Sequence, residues 1–183
     1  MAYIFDLETV DFRATPFVDT SGTSVIDFAL GYNPEANTVV LMSVMLVAGE
    51  SYLEGKLPDI RDLQFGIRVR NLAHDTISPP DFSSTSAGLF IPNDARQLVL
   101  ANIHYVIIAL LRYSWPPYLT METYYPNLPD KALQKYGTIA ALITGAYDLL
   151  DRFRDEASGI DYWFFGRDST RPNARLEPGD AKD

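Results

Sequence analysis

Only two imidazoles, His74 and His104, and no cysteine occur among the 183 residues. The missing thiol excludes disulfides, thiolate zinc sites, iron–sulfur ligation and cysteine nucleophiles together. A metal site would need carboxylates to complete it, and no His-Glu-x-x-His spacing begins one. His104 lies beside Asn102 in the most apolar stretch of the chain, where an imidazole bonded to a core neighbour is the ordinary outcome. His74-Asp75 opens a long polar stretch, and an imidazole with a free pKa of about 6.5 is the best general base available. An enzymatic site would combine His74 and Asp75 with Arg68, Arg70 and Glu122. The competing use of those arginines is cross-strand ion pairing with Asp27 or Glu8. Paired carboxylates for sugar hydrolysis could come from Asp6, Glu8, Asp27 or Glu122, but the strand order that would bring two together is not written in the sequence.

No Gly-x-Ser-x-Gly elbow is present, and neither Gly-x-Gly-x-x-Gly nor a Gly-Lys-Ser/Thr step occurs. Nothing therefore points to a hydrolase nucleophile or a bound nucleotide, and no cofactor or metal is expected. The aromatic content is the more unusual chemistry. Eleven tyrosines accompany the clusters Trp115-Pro-Pro-Tyr118 and Tyr162-Trp163-Phe164-Phe165. Such residues build cores and also interface centres. The leading expectation is a non-catalytic binding or assembly protein that presents an aromatic surface to a polypeptide partner. Phe82, Phe90, Trp115 and Tyr118 are the expected contact residues. The alternatives are the small enzyme just described and a structural subunit of a larger assembly.

The net charge is −9 and the isoelectric point about 4.6. That balance argues against nucleic acid and anionic membrane as partners and leaves a basic polypeptide as the favoured one. The acids concentrate early: residues 1–60 hold nine, against Arg13 and Lys56. Asp6, Glu8 and Asp27 are expected to project from the first strands toward such a partner.

The elements that position these groups follow from periodicity. Tyr3 to Glu8, Ile26 to Tyr32 and Leu63 to Val69 alternate with a period of two and read as strands. Thr38 to Ala48 follows the turn Asn33-Pro34-Glu35-Ala36-Asn37, and its almost continuous apolar run between Val39 and Val47 marks a central strand. His74 to Asn93, with Pro79-Pro80 and several serines, has no sustained period and reads as a long lid or partner-binding loop. A helix capped by Asn93 or Asp94 is expected from Ala95 to Tyr113, ended by Trp115-Pro116-Pro117. Its run from Leu98 to Leu111 is shorter than the ~20 residues of a membrane span and reads as core. Tyr118 to Tyr125 is a strand. Leu133, Tyr136, Ile139, Ala140, Ile143, Tyr147 and Leu150 form the stripe of a second long helix, with a break near Gly145 as the alternative. Ile160 to Arg167 is the last strand. The expected fold is α+β, a mainly antiparallel sheet of about five to six strands packed by two long helices. Residues 1–167 are expected to form a single domain and 168–183 a mobile polar tail. No secretory signal is recognisable at the N-terminus, so a cytoplasmic location is expected.

The order of four strands, long loop, helix, extended segment and helix resembles the SecB-type export chaperones. Leu89-Phe90-Ile91-Pro92-Asn93-Asp94-Ala95-Arg96 before the first long helix and Trp115-Pro116-Pro117-Tyr118-Leu119 after it are similar to that family's helix entry and exit. The likeness covers roughly residues 25–150 in pattern. It departs in the longer second helix and the final aromatic strand. The resemblance implies a homo-oligomer that holds unfolded polypeptide on exposed apolar surface.

Overall fold

The computed structural model describes residues 3–10, 14–49, 59–124 and 130–167. Nine strands occur there: β1 (Ile4–Phe5), β2 (Phe17–Val18), β3 (Ser24–Asn33), β4 (Thr38–Ala48), β5 (Ile60–Asn71), β6 (Thr76–Ile77), β7 (Tyr118–Tyr124), β8 (Tyr147–Asp155) and β9 (Ile160–Arg167). Three α-helices accompany them: α1 (Ser84–Phe90), α2 (Arg96–Ser114), entered through a 3₁₀ turn at Asn93–Ala95, and α3 (Asp130–Ile143). The strands hydrogen-bond in the order β1-β3-β4-β5-β7-β9-β8, with β2 also on β3 and β6 also on β5. The β5–β7 pairing is parallel, whereas β7–β9, β8–β9 and β5–β6 are antiparallel.

This corrects the expected sheet of five to six mainly antiparallel strands with two long helices: the described sheet is mixed, has nine strands, and one of the three helices is long. Two of the added strands, β2 and β6, are two residues long, too short to show any period, and the third, β8, lies where the end of the second helix is expected. The strand expected over Tyr3 to Glu8 is present as the shorter β1. The parallel pair requires a crossover connection, supplied by the segment that contains α1 and α2. The second helix stops at Ile143 and does not run on to Leu150. Gly145 N–H donates to Leu142 O at 3.2 Å and Ala146 N–H to Ile143 O at 3.0 Å, tightening the last turn, and the chain re-emerges as β8. The expected break near Gly145 is thus the one realised. The stretch from His74 to Asn93 is also not a bare loop, since it contains β6, α1 and the start of the 3₁₀ turn. Asn93 and Asp94 lie within the 3₁₀ turn, whose N-cap is Pro92 and which has no side-chain cap hydrogen bond. The segment 168–183 lies outside the described residues.

The described residues divide into two compact units, one drawn from 1–45 and 64–110 and the other from 46–63 and 111–183. In the first, Phe28, Leu30, Val40 and Val44 of the strands and Val99, Val106, Ile107 and Leu110 of α2 are buried. By length and composition α2 and its entry turn could cross a membrane, but half of that apolar window is buried inside the protein. The N-terminal segment is stitched to this unit by Asn102 Nδ2, which donates to Glu8 O at 2.8 Å, and by the Tyr3 hydroxyl, which donates to Phe90 O at 3.2 Å. β1 crosses β3 at Gly31, where an added Cβ would stand 2.2 Å from Ile4 O. In the second unit the β7-β9-β8 ladder carries Leu119, Met121, Trp163 and Phe165 buried on one face. α3 lies on that face, with Tyr136 stacked on Trp163 at 6.1 Å and Ile139 and Ile143 buried.

Candidate functional site

The residues of the enzymatic alternative form a hairpin support. Arg70 pairs with Asp75 at 2.6 Å across the β5–β6 turn, with both side chains well exposed. Arg68 Nε donates to Ser78 O at 3.0 Å. His74 is exposed in the turn, its backbone N–H donating to Asn71 Oδ1 at 3.2 Å. The Asp75 carboxylate thus serves Arg70, and Glu122 is an exposed residue of β7 in the other unit. Asp27 is half-buried and accepts from Ser43 Oγ at 2.5 Å, and Glu8 accepts from Ala29 N–H at 2.9 Å. Neither acid pairs with Arg68 or Arg70; Asp27 is held within the sheet, whereas Glu8, like Asp6, is exposed. His104 is half-buried, its Nε2 has no hydrogen-bond partner, and burial holds its pKa below the ordinary value. Among the described residues no group of three or more His, Asp or Glu could hold a metal ion.

The four expected contact aromatics differ in accessibility. Phe82 is 58% exposed although its ring rests against Gly66. Phe90 is half-buried against Tyr3, with ring centroids 5.3 Å apart. Trp115 closes α2 with a φ of +41°, a left-handed conformation that a bulky side chain adopts only under constraint. The constraint is visible. Its N–H donates to Leu111 O at 2.8 Å, its ring meets Tyr147 at 5.6 Å, and Tyr147 Oη donates to Pro116 O at 2.9 Å. Trp115 therefore belongs to a structural knot at the end of α2. Tyr118 is half-buried and stacks on Phe164 at 5.8 Å.

Tyr118 leads to a surface that the sequence had not delimited. Residues directly opposite in adjacent strands share a face of the sheet. The ladder places Tyr118, Thr120, Glu122 and Tyr124 of β7 opposite Gly166, Phe164, Tyr162 and Ile160 of β9. It then places Asp148, Asp151, Phe153 and Asp155 of β8 opposite Gly166, Phe164, Tyr162 and Ile160. Five rings thus share one face, two pairs of them stacked: Tyr118 on Phe164, and Phe153 on Tyr162 at 4.7 Å. This face is open around its margins: Tyr124 is 56% and Leu150 53% exposed, Tyr118, Phe153 and Tyr162 are half-buried, and Phe164 between them is buried. The opposite face, under α3, is the buried one.

Charge is partitioned with the faces. Glu122, Asp148, Asp151 and Asp155 stand on the open aromatic face, and Asp62 of β5 joins them, accepting from Thr120 Oγ1. The arginines of β8 and β9 stand on the other: Arg152 lies over Trp163 at 5.0 Å, Arg154 clamps Asp161 with two bonds of 2.7 Å, and Arg167 is opposite Tyr147. The Arg154 guanidinium holds the buried Asp161 carboxyl below the usual range. On the open face the Tyr162 phenol is pushed up by burial and then by the nearby Glu122 and Asp155 carboxylates.

A one-residue bulge creates the partition. Leu150 is the extra residue between Leu149, opposite Phe165, and Asp151, opposite Phe164. Without it, alternation would set Asp148 beside Arg152 and Arg154. The alternation of Tyr118, Glu122 and Tyr124 was readable in the sequence. Asp151, Phe153 and Asp155 were missed because Tyr147 and Leu150 continue the apolar spacing of α3, and a helical stripe conceals a strand. No protein-family model, curated protein or solved structure matches this chain.

Proposed function

We propose that this is a non-catalytic binding protein that presents an aromatic surface to a polypeptide partner, and that the surface is the open face of β7-β9-β8. One observation carries the reading: five aromatic side chains share a sheet face whose rim residues Tyr124 and Leu150 are more than half exposed, while α3 covers the opposite face. Rings already stacked on one another offer large contact area and lose little conformational entropy on docking. Of the four residues expected from sequence, Tyr118 lies on this face, and Phe82 is a separate exposed ring in the other unit.

The test is panning of a displayed peptide library against the purified chain, followed by titration of the selected peptides. Truncating interface aromatics removes about 1–2 kcal/mol each, so Tyr124→Ala with Phe153→Ala weakens binding by tenfold or more. Far-UV circular dichroism establishes that the variant is folded. Unchanged affinity in a folded variant refutes the assignment of the surface.

A further inference from the structure

The segregation of charge says more about the occupant of this face than its rings do. Building on the reading above, we infer that the face takes an extended, cationic segment of polypeptide whose lysines or arginines recur four positions apart. Among the described residues of β7, β8 and β9, every acid except Asp161 stands on the aromatic face and every arginine stands on the other. Asp161 is matched by its own arginine on the covered side. The open face of these three strands therefore carries rings and carboxylates with no arginine of β7, β8 or β9 beside them, a combination that attracts cations through both the ring quadrupoles and the charges.

The spacing sets the partner's pattern. Asp151 and Asp155 are four residues apart on one strand, a separation of roughly 13 Å at the rise of an extended chain. A second extended chain lying along β8 repeats that distance between side chains four positions apart. Glu122 stands opposite Tyr162, which is itself opposite Phe153, so the third carboxylate closes a triangle around the stacked ring pair. A cation between the two β8 carboxylates would lie over these rings. Asp155 also accepts from Ala157 N–H and Ser158 Oγ, which keep it ionised and fixed in position. Asp151 and Glu122 are exposed and are the members of the triangle that can be altered without disturbing a turn.

The probe is a synthetic peptide of about nine residues with lysines four positions apart and valine or threonine between them, compared with the same peptide carrying glutamine for lysine. Fluorescence anisotropy is read for the parent chain, for Glu122→Gln with Asp151→Asn, and for Tyr124→Ala with Phe153→Ala. The lysine peptide is expected to bind more tightly than the glutamine peptide. It should lose about threefold in affinity for each carboxylate removed, near tenfold for the pair, and weaken as salt rises from about 0.05 to 0.3 M. Equal binding of the two peptides, abolished by the ring substitutions alone, overturns the cationic inference and leaves the aromatic surface standing. Lysine-peptide binding that survives both double substitutions overturns the site itself, because the attraction then lies elsewhere on an acidic chain.

Discussion

Replacing Tyr147 by Phe removes a single oxygen from the knot that ends α2. Tyr147 is 1% exposed, and its hydroxyl donates to Pro116 O at 2.9 Å, with Pro116 also buried. The substitution keeps the ring against Trp115 but leaves a buried carbonyl without its donor. An orphaned buried acceptor costs about 1–3 kcal/mol. For a chain of 183 residues a loss near 2 kcal/mol lowers Tm by about 4–8 °C. Urea denaturation followed by tryptophan fluorescence reads the change close to the altered site, and calorimetry checks Tm. A second readout reports on the buried phenol itself. Burial pushes the Tyr147 phenol well above its ordinary value, so the unfolded chain ionises first. The stabilisation is complete below about pH 10 and declines as pH rises above it. In the Phe variant this part of the alkaline decline disappears. Tyr3, pushed up to about 12 by burial, retains its own share. A loss below about 0.5 kcal/mol together with an unchanged alkaline slope would refute the claim that this carbonyl depends on Tyr147.

Gly31→Ala and Gly166→Ala should behave differently despite both being strand glycines. At Gly31 the new methyl meets the Ile4 carbonyl, backbone that cannot swing aside, and β1 must leave β3. At Gly166 it meets the end of the flexible Leu150 side chain, so denaturation should show a several-fold smaller loss there. Asp161→Asn gives up two charge-assisted bonds to Arg154, whose side chain is 46% exposed and partly screened by water. A loss of about 1–2 kcal/mol is expected at neutral pH. Because the folded Asp161 pKa is depressed, the difference from the parent should shrink as pH falls below about 4. His104→Leu removes a half-buried imidazole whose folded pKa lies below its unfolded value. The parent should lose stability as pH falls through about 6.5, the unfolded value, and the variant should show less of that loss; identical pH profiles would exclude His104 as its source.

Much of the architecture was legible locally. The bounds of β9 and the near-coincidence of α2 with Ala95–Tyr113 follow from apolar spacing and from Trp115-Pro116-Pro117, which act over a few residues. The position of β4 between β3 and β5 follows from its nearly uninterrupted apolar run. β2 and β6 were hidden because a two-residue strand is defined only by its partner. β8 was hidden because Tyr147 and Leu150 fall at intervals that a helix also uses. At the candidate site, the face shared by Tyr118, Glu122 and Tyr124 could be read from alternation, whereas its extension across β9 to β8 could not.

Composition alone determined that the chain is acidic, lacks thiol chemistry and is rich in tyrosine. Alternation determined which residues of a given strand face the same way, because that is a steric property of the extended backbone. Tertiary structure decided which strands are neighbours and in what register, since those depend on hydrogen bonds between residues far apart in the chain. The Leu150 bulge shows the difference most sharply. One extra residue against β9 moves Asp148 to the side of Asp151 and Asp155 and away from Arg152 and Arg154. The total charge is unchanged by that shift; its separation into an acidic aromatic face and a basic covered one exists only in the paired sheet.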